Sequence, residues 1–235
     1  MNNIYEPEFV RVLFNQMSGS YEQMNFITSF GFSIRWRRQC LNRLGKSEQN
    51  LQVLDLLSGL GENWNILNKN FPNASFTAID FSEEMIRKSS TKAKKLFNNK
   101  LNLRCEDVLQ SSLTSNHFDI ISCAYGLKTF NEEQLTKFAS EIHRILKPGG
   151  TFSFVEVSKP KNVLLHFLYQ FYLANIIPLL GKIFLGNPSD YKMLWIYTEE
   201  FKNSKRAKSI FQNAGLQVKY ENYFFGCASG LTGTK

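Results

Sequence analysis

Short apolar runs rich in β-branched and aromatic residues recur along the chain. They read QVLDLL from Gln52, SFTAID ending at Asp80, LNLRC over 101–105, FDIISCAY over 118–125 and TFSFVEVS over 151–158. Between most of them, apolar positions fall three and four residues apart, the spacing of an amphipathic helix rather than a strand. Strand alternating with helix predicts a parallel sheet wrapped by helices. The segment SEEMIRKSSTKAKKLF predicts a helix in detail: Ser82 can cap it, Glu83 and Glu84 sit at the end the helix dipole favours for anions, and lysines gather at the other end. Lys147-Pro148-Gly149-Gly150 is expected to stop the helix EEQLTKFASEIHRIL and turn the chain into the next strand.

Composition adds limits. A chain of 235 residues, 43% hydrophobic and 20% charged, suits one globular α/β domain, and neither a linker tract nor an internal repeat divides it. The opening MNNIYEPEFVRV lacks a basic stretch followed by an apolar one, so no secretory signal is expected and a cytoplasmic location is. Cys40, Cys105, Cys123 and Cys227 are far apart, forming no close metal-ligand pair with one another or with a His; reduced thiols and no metal site are expected. The net charge of +8 suits nucleic acid, an anionic membrane or an acidic substrate, and also a plainly solvated surface.

The chemistry is concentrated at strand ends. In an open parallel sheet, ligands sit beyond the carboxyl ends of the strands, where the strand order reverses. VLDLLSGLGENW places Asp55 in the first strand and Gly59 and Gly61 just past it. Trp64 stands where a dinucleotide fingerprint needs its third glycine, and no G-K-[ST] follows, so a nucleoside without a pyrophosphate fits better. Asp80 ends the second strand, where such sites place a carboxylate on the ribose hydroxyls. Glu106 and Asp107 follow the third strand and offer an acceptor to an adenine amino group.

In this order the residues match S-adenosylmethionine sites of class I methyltransferases. Nearly the whole chain resembles the ubiquinone/menaquinone C-methyltransferase family of UbiE type. The resemblance rests on FNQMSGSYEQMNFITSFGFSIRWRR, with Phe14, Tyr21, Met24, Asn25, Ser29, Gly31, Trp36 and Arg37 at characteristic positions, and on VLDLLSGLGE, AIDFSEEMI, FDIISCAYGLK, RILKPGGTFSFVEVSKP and AGLQVKYENYFFGCASGLTGTK. It implies a doubly wound, Rossmann-like sheet of seven strands, mostly parallel, with LQVKYENYFF and GCASGLTGTK as an antiparallel C-terminal hairpin and helical cover at the N-terminus and after the fifth strand. One methyltransferase domain would then comprise a cap over 1–50, a cofactor core over 51–160, an acceptor-side helical insertion over 161–205 and a C-terminal helix with the strand pair over 206–235. The resemblance sets the cofactor against Asp55, Gly59, Leu60 and Gly61, the ribose on Asp80 beside Phe81, the adenine by Asp107 and Val108, Ala124 at a further contact, and Tyr21 over the methionine end.

The acceptor half departs from the family. Lys128-Thr129 replaces a usual Arg-Asn, Leu231 replaces a His, and Tyr191 is kept while Met193 replaces a second tyrosine. Carbon methylation of a quinol asks for a base or an anion-stabilising group. The candidates are Tyr21 and Tyr191 to position a ring hydroxyl, His166 to take a proton and Lys128 to stabilise a phenolate. Methylation of oxygen or nitrogen on another aromatic or lipid acceptor is the alternative. A nucleic-acid enzyme is disfavoured because CAYGLK replaces the Asn/Asp-Pro-Pro motif of amino-directed ones, and a fold that binds the cofactor without methyl transfer stands as a further reading. The expected partners are thus a hydrophobic acceptor, isoprenoid- or lipid-tailed, and an anionic membrane touched weakly through the 163–185 region, which Lys159, Lys161 and Lys182 flank. A homodimer is allowed for and no nucleic acid is expected. The uncharged run from Val163 to Gly181 contains His166, Gln170, Asn175 and Pro178. These polar groups argue against a span and for either a buried helix pair or the wall of an acceptor tunnel.

Overall fold

The computed structural model describes residues 4–22, 26, 29, 31–98, 100–176 and 188–235. Its strands are β1 (Gln52–Leu56), β2 (Ser75–Asp80), β3 (Leu101–Cys105), β4 (Phe118–Ala124), β5 (Leu146–Val157), β6 (Gln217–Tyr223) and β7 (Ala228–Thr234). They form one seven-stranded sheet in the order β3-β2-β1-β4-β5-β7-β6. The first five run parallel, and β7 is antiparallel to both β5 and β6. This is the doubly wound sheet with an antiparallel hairpin that the sequence implies. The strand order reverses between β1 and β4, which makes the carboxyl ends of those two strands the natural ligand crevice.

Helices α1 (Pro7–Met17), α2 (Phe32–Leu41), α3 (Trp64–Asn70), α4 (Glu83–Phe97), α5 (Glu132–Ile145), α6 (Val163–Phe171), α7 (Pro188–Phe201) and α8 (Lys205–Asn213) surround the sheet. Capping follows the residues: Ser82 Oγ accepts from Met85 N–H at the start of α4, and Asn131 with Gln134 forms a reciprocal capping box on α5. Helix α5 stops at Ile145, where Leu146 turns extended into β5. The Pro148-Gly149-Gly150 segment therefore lies inside that strand's bounds, opposite a register irregularity between Phe118 and Ile120.

Apolar burial fixes the layers. Phe138, Phe152, Phe154 and Phe211 pack with Leu54, Leu56 and Ile121 in one cluster, and Trp64, Leu67, Phe71, Phe76 and Phe97 form another. Each such side chain contributes roughly 1.5–3 kcal/mol. Leu231, at the position where the family carries a His, is fully buried in the first cluster. A third cluster joins Val10, Leu13 and Met17 of α1 to Tyr21, Met85 and Tyr197, so the N-terminal cap closes over the start of α4.

The segment after β5 corrects one expectation. No residue of α6 is buried, so a buried helix pair does not hold over Val163–Phe171; the second half of that expectation, from 177, lies outside the described residues. Among the described residues α6 is partnered through Leu165 and Tyr169, which pack against the cluster of Trp36, Tyr125, Val155 and Tyr223, and through His166, which stacks on Trp195.

Candidate active site

Two adjoining clefts open at the switch point. One, of about 490 Å³, is lined by Tyr21, Arg37, Gly59, Asp80, Ala124 and Tyr125 among others. The second, of about 390 Å³, is lined by Tyr5, Val10, Asp107, Val108, Phe130 and Gln134. Leu57, Phe81 and Thr129 line both, which makes them two parts of one elongated site. Because β3, β2, β1 and β4 are neighbours in that order, Asp107, Asp80, Gly59 and Tyr125 follow one another along its rim.

Asp80 is the buried anion at the middle of this rim. Its Oδ2 accepts from Gly59 N–H at 2.8 Å and its Oδ1 from Ser82 N–H at 2.9 Å. Burial pushes its pKa up to about 6, against the opposing effect of these bonds. The carboxylate thus fixes the glycine loop and the start of α4 while it faces the cleft. Asp107 lines the far part, and its Oδ1 accepts from Leu109 N–H at 2.9 Å. Glu106 turns elsewhere, towards Arg104 at 2.6 Å and the Ser112 N–H.

Asp55 stands beneath the site rather than in it. Asn63 Nδ2 and Ser122 Oγ each donate to its Oδ1 at 2.7 Å, tying the loop after β1 to β4. Burial raises its pKa to about 7. The two glycines also divide their roles. Gly59, at φ 52°, lines the cleft, and a Cβ there would meet only Glu62 at 3.5 Å. Gly61, at φ 73°, lies under the Trp64 ring, which a Cβ would approach to 2.3 Å, so packing within the chain already demands this glycine. Leu60 packs beside Tyr21 and Met85. Leu57 and Tyr125, just past β1 and β4, have φ of 51° and 66°. Left-handed backbone at non-glycine residues is costly and gathers at functional sites.

Arg37 is the residue that motif reading left without a role. It comes from α2, is 6% exposed, stacks its guanidinium 5.1 Å from the Tyr125 ring centroid, and stands 3.7 Å from Glu62. Its Nε is buried with no hydrogen-bond partner among the described residues. A loosely paired, desolvated guanidinium in a cleft fits a carboxylate of a bound ligand. Together with Asp80 and Asp107, the cleft offers a cation for an amino-acid carboxylate and anions for hydroxyl and amino donors. That donor set fits S-adenosylmethionine.

The candidate acceptor-side residues do not converge. Tyr21 lines the cleft, in edge contact with Phe14 at 5.9 Å between ring centroids. Lys128 is buried, and its Nζ donates to Glu156 Oε1 at 2.7 Å while its backbone N–H donates to Glu156 Oε2 at 3.2 Å; it is absent from the lining of either cleft. Thr129 beside it does line both. His166 stacks on Trp195 at 6.2 Å and lies 3.9 Å from Glu199, away from the cleft lining. Tyr191 belongs to α7, and its side chain lies outside the described residues.

Comparison with known proteins agrees with this geometry. A family model described as the ubiE/COQ5 methyltransferase family matches residues 1–235. Demethylmenaquinone methyltransferase of Lactococcus lactis is 29% identical over 230 residues, covering 97% of this chain and 90% of the relative. The protein of that name from Listeria monocytogenes is 28% identical over 233 residues, covering 98% and 97%. Among solved structures, an S-adenosylmethionine-dependent methyltransferase from Aquifex aeolicus superposes with a TM-score of 0.57 at 20% identity, over 84% of this chain and 88% of the other. Haemonchus contortus phosphoethanolamine N-methyltransferase 2, solved with S-adenosyl-L-methionine, gives 0.60 at 14% identity, over 86% and 52%. These two establish the fold. The chain therefore belongs to the ubiE/COQ5 methyltransferase family and is an S-adenosylmethionine-dependent methyltransferase.

Proposed function

We propose that the protein methylates a ring carbon of a reduced quinone bearing a hydrophobic tail, the kind of acceptor named in demethylmenaquinone methyltransferase, its relative over nearly the full length. The observation that carries this reading is the full-length family match, joined to a cleft whose charged groups follow the order an adenosyl amino acid requires. When bound, S-adenosylmethionine supplies an electrophilic methyl carbon on a sulfonium. Asp80 accepts the ribose hydroxyls, Asp107 and Val108 flank the adenine, Gly59 leaves the backbone bare and Arg37 takes the methionine carboxylate. Ala124 walls the same cleft. Phe14, Tyr21 and Met85 close over it and keep water out.

Alignment is the chain's main task, because a methyl donor of this kind needs little further activation. Tyr21 is the hydroxyl-bearing side chain best placed to orient a quinol hydroxyl, whose oxygen donates electrons to the ortho carbon; the ring C–H proton that the methyl replaces is released to solvent. Lys128 serves this reaction through position: its bonds to Glu156 hold the turn that carries Thr129 into the cleft. No helix among the described residues is long and apolar enough to cross a membrane, and the protein reaches a lipid-tailed acceptor by weak, reversible contact with an anionic membrane surface.

The test is incubation with methyl-labelled S-adenosylmethionine and a chemically reduced lipid extract of the host, followed by mass identification of labelled products. A labelled prenylated quinol supports the reading. Label confined to water-soluble products, or to a lipid without a quinone ring, refutes it.

A further inference from the structure

Helix α6 turns its apolar face outward. Val163, Leu164, Phe167, Leu168 and Phe171 recur at the spacing of one helical stripe, and each is between 53% and 82% exposed. Leu165 and Tyr169, on the other side, pack against the cluster that contains Tyr125 and Ala124, both of which line the ligand cleft. The exposed stripe and the cleft wall are thus two sides of one thin layer.

A second exposed apolar element lies next to the chain leading into α6. Phe224 and Phe225, in the turn between β6 and β7, have φ of 41° and 54°, and Phe225 is 76% exposed. A Cβ at the following Gly226 would lie 3.4 Å from Pro160 Cα, so the turn abuts the residues that lead into α6. A strained turn that presents two phenylalanines to solvent, beside a helix that presents five large apolar side chains, makes an apolar surface of the kind that marks an interaction site.

Charge decides the partner. The stretch from Pro160 to Ile176 contains neither Asp nor Glu. Lys161, just before α6, crowds Lys205 at the start of α8 and lowers its pKa from the ordinary lysine value. Neither ammonium has a carboxylate within 4 Å among the described residues. Two adjacent cations on a chain of net charge +8 call for an anionic counterpart, and a two-fold contact between copies through this face would set like charges together.

We propose that the outer face of α6, the Phe224-Phe225 turn and the Lys161–Lys205 pair form a docking surface for an anionic lipid bilayer, with the aromatic and aliphatic side chains in the interfacial layer and the lysines on the headgroups. The inference deepens the reading of a lipid-tailed acceptor by giving the membrane contact a surface that backs directly on the cleft wall. Interfacial helices bind in this way, through apolar area joined to basic residues.

The experiment is flotation of the full chain with vesicles of phosphatidylcholine alone or mixed with phosphatidylglycerol, at low and high salt. The unaltered protein is expected to float with the mixed vesicles at low salt. Leu164→Ser with Phe167→Ser should lower its partition at least tenfold, and Lys161→Glu with Lys205→Glu should remove the preference for anionic lipid, at about fivefold in affinity per lysine. Circular dichroism and methyl transfer to a short-tailed, water-soluble quinol check folding and the catalytic reading independently of docking. Failure to float under every condition, or unchanged flotation of the folded double variants, overturns the proposal. A Leu164→Ser/Phe167→Ser variant that turns a dimer into a monomer, with vesicle binding unaltered, overturns it equally.

Discussion

At the rim Asp80, with Asp55 beneath it, is enclosed and bonded by short hydrogen bonds from neighbouring loops and strands, whereas α6, after β5, turns large apolar side chains to solvent. The rim answers a ligand of fixed polar chemistry, so each group must be held in place before the ligand arrives. Helix α6, proposed to meet a greasy partner, carries outward side chains with no ring or cluster mates among the described residues. Preorganisation is dense at the rim and sparse on α6. Single substitutions are therefore expected to cost more at the rim than on the outer face of α6.

The largest effect is expected between the two regions, at the buried pair of Lys128 and Glu156. Lys128→Met leaves a fully buried carboxylate without its cation, which costs about 3–5 kcal/mol. A denaturant titration should show this loss, and Lys128→Met with Glu156→Leu should recover most of it. Equal stability of the single variant and the unaltered chain would show that the pair holds nothing.

Asp80→Ala comes next. It removes the acceptor of both Gly59 N–H and Ser82 N–H as well as the proposed ribose contact. Two charge-assisted bonds at about 1.5–3 kcal/mol each predict at least a hundredfold weaker S-adenosylmethionine binding by calorimetry. The two glycines then separate packing from binding. Gly61→Ala forces a Cβ into the Trp64 ring and should cost roughly 2 kcal/mol of stability. Gly59→Ala should cost only about 1 kcal/mol of stability but weaken the cofactor, because its neighbourhood is open towards the cleft.

The smallest effects are in pH. In the proposed ribose contact Asp80 accepts from two hydroxyls as the ionised carboxylate, and its pKa is raised to about 6. Cofactor affinity should therefore be level above that value and fall by up to about tenfold per unit below it. Asp55 bears on stability instead. Its folded pKa of about 7 exceeds the unfolded value of about 3.9, so the folded chain holds the proton more tightly. Its contribution is full below the unfolded pKa and is lost as pH rises through about 7. Thermal unfolding across pH 4 to 8 should show a shallower fall in Asp55→Asn than in the unaltered chain.

Much of the rim was legible in the sequence because its demands are local. A strand's alternation, a glycine just past its end and a carboxylate at the next strand's end lie close enough in the chain to be read together. Gly59, Asp80, Asp107, Val108 and Ala124 stand on the cleft where the spacing and the resemblance put them. Asp55 shows the limit: a carboxylate in a strand near its end looks the same whether it faces a ligand or Asn63 and Ser122 behind it. Gly61 and Trp64 were both in view, but only the folded turn brings the ring over the glycine.

What escaped the sequence depends on distant pairing. Arg37 reaches the cleft because α2 packs on β5, the neighbour of β4, and so meets Tyr125 just past the end of β4. Lys128 finds Glu156 because β4 and β5 lie side by side. The apolar run after β5 announced burial, and period alone cannot say whether the burying surface belongs to the same chain. One half of α6 found that surface in Trp36 and Tyr125, and the other half did not.

The central claim is methyl transfer to a quinol carbon from a cofactor laid along the Asp107–Asp80–Gly59 rim. It is tested most directly by a single-turnover reaction with carbon-13 methyl-labelled S-adenosylmethionine and a short-tailed demethylated naphthoquinol, with the product read by NMR. The account predicts one labelled methyl on a ring carbon, at a rate that collapses in Asp80→Ala. Label on a ring oxygen, or no labelled quinol from a protein that binds the cofactor normally, would contradict it.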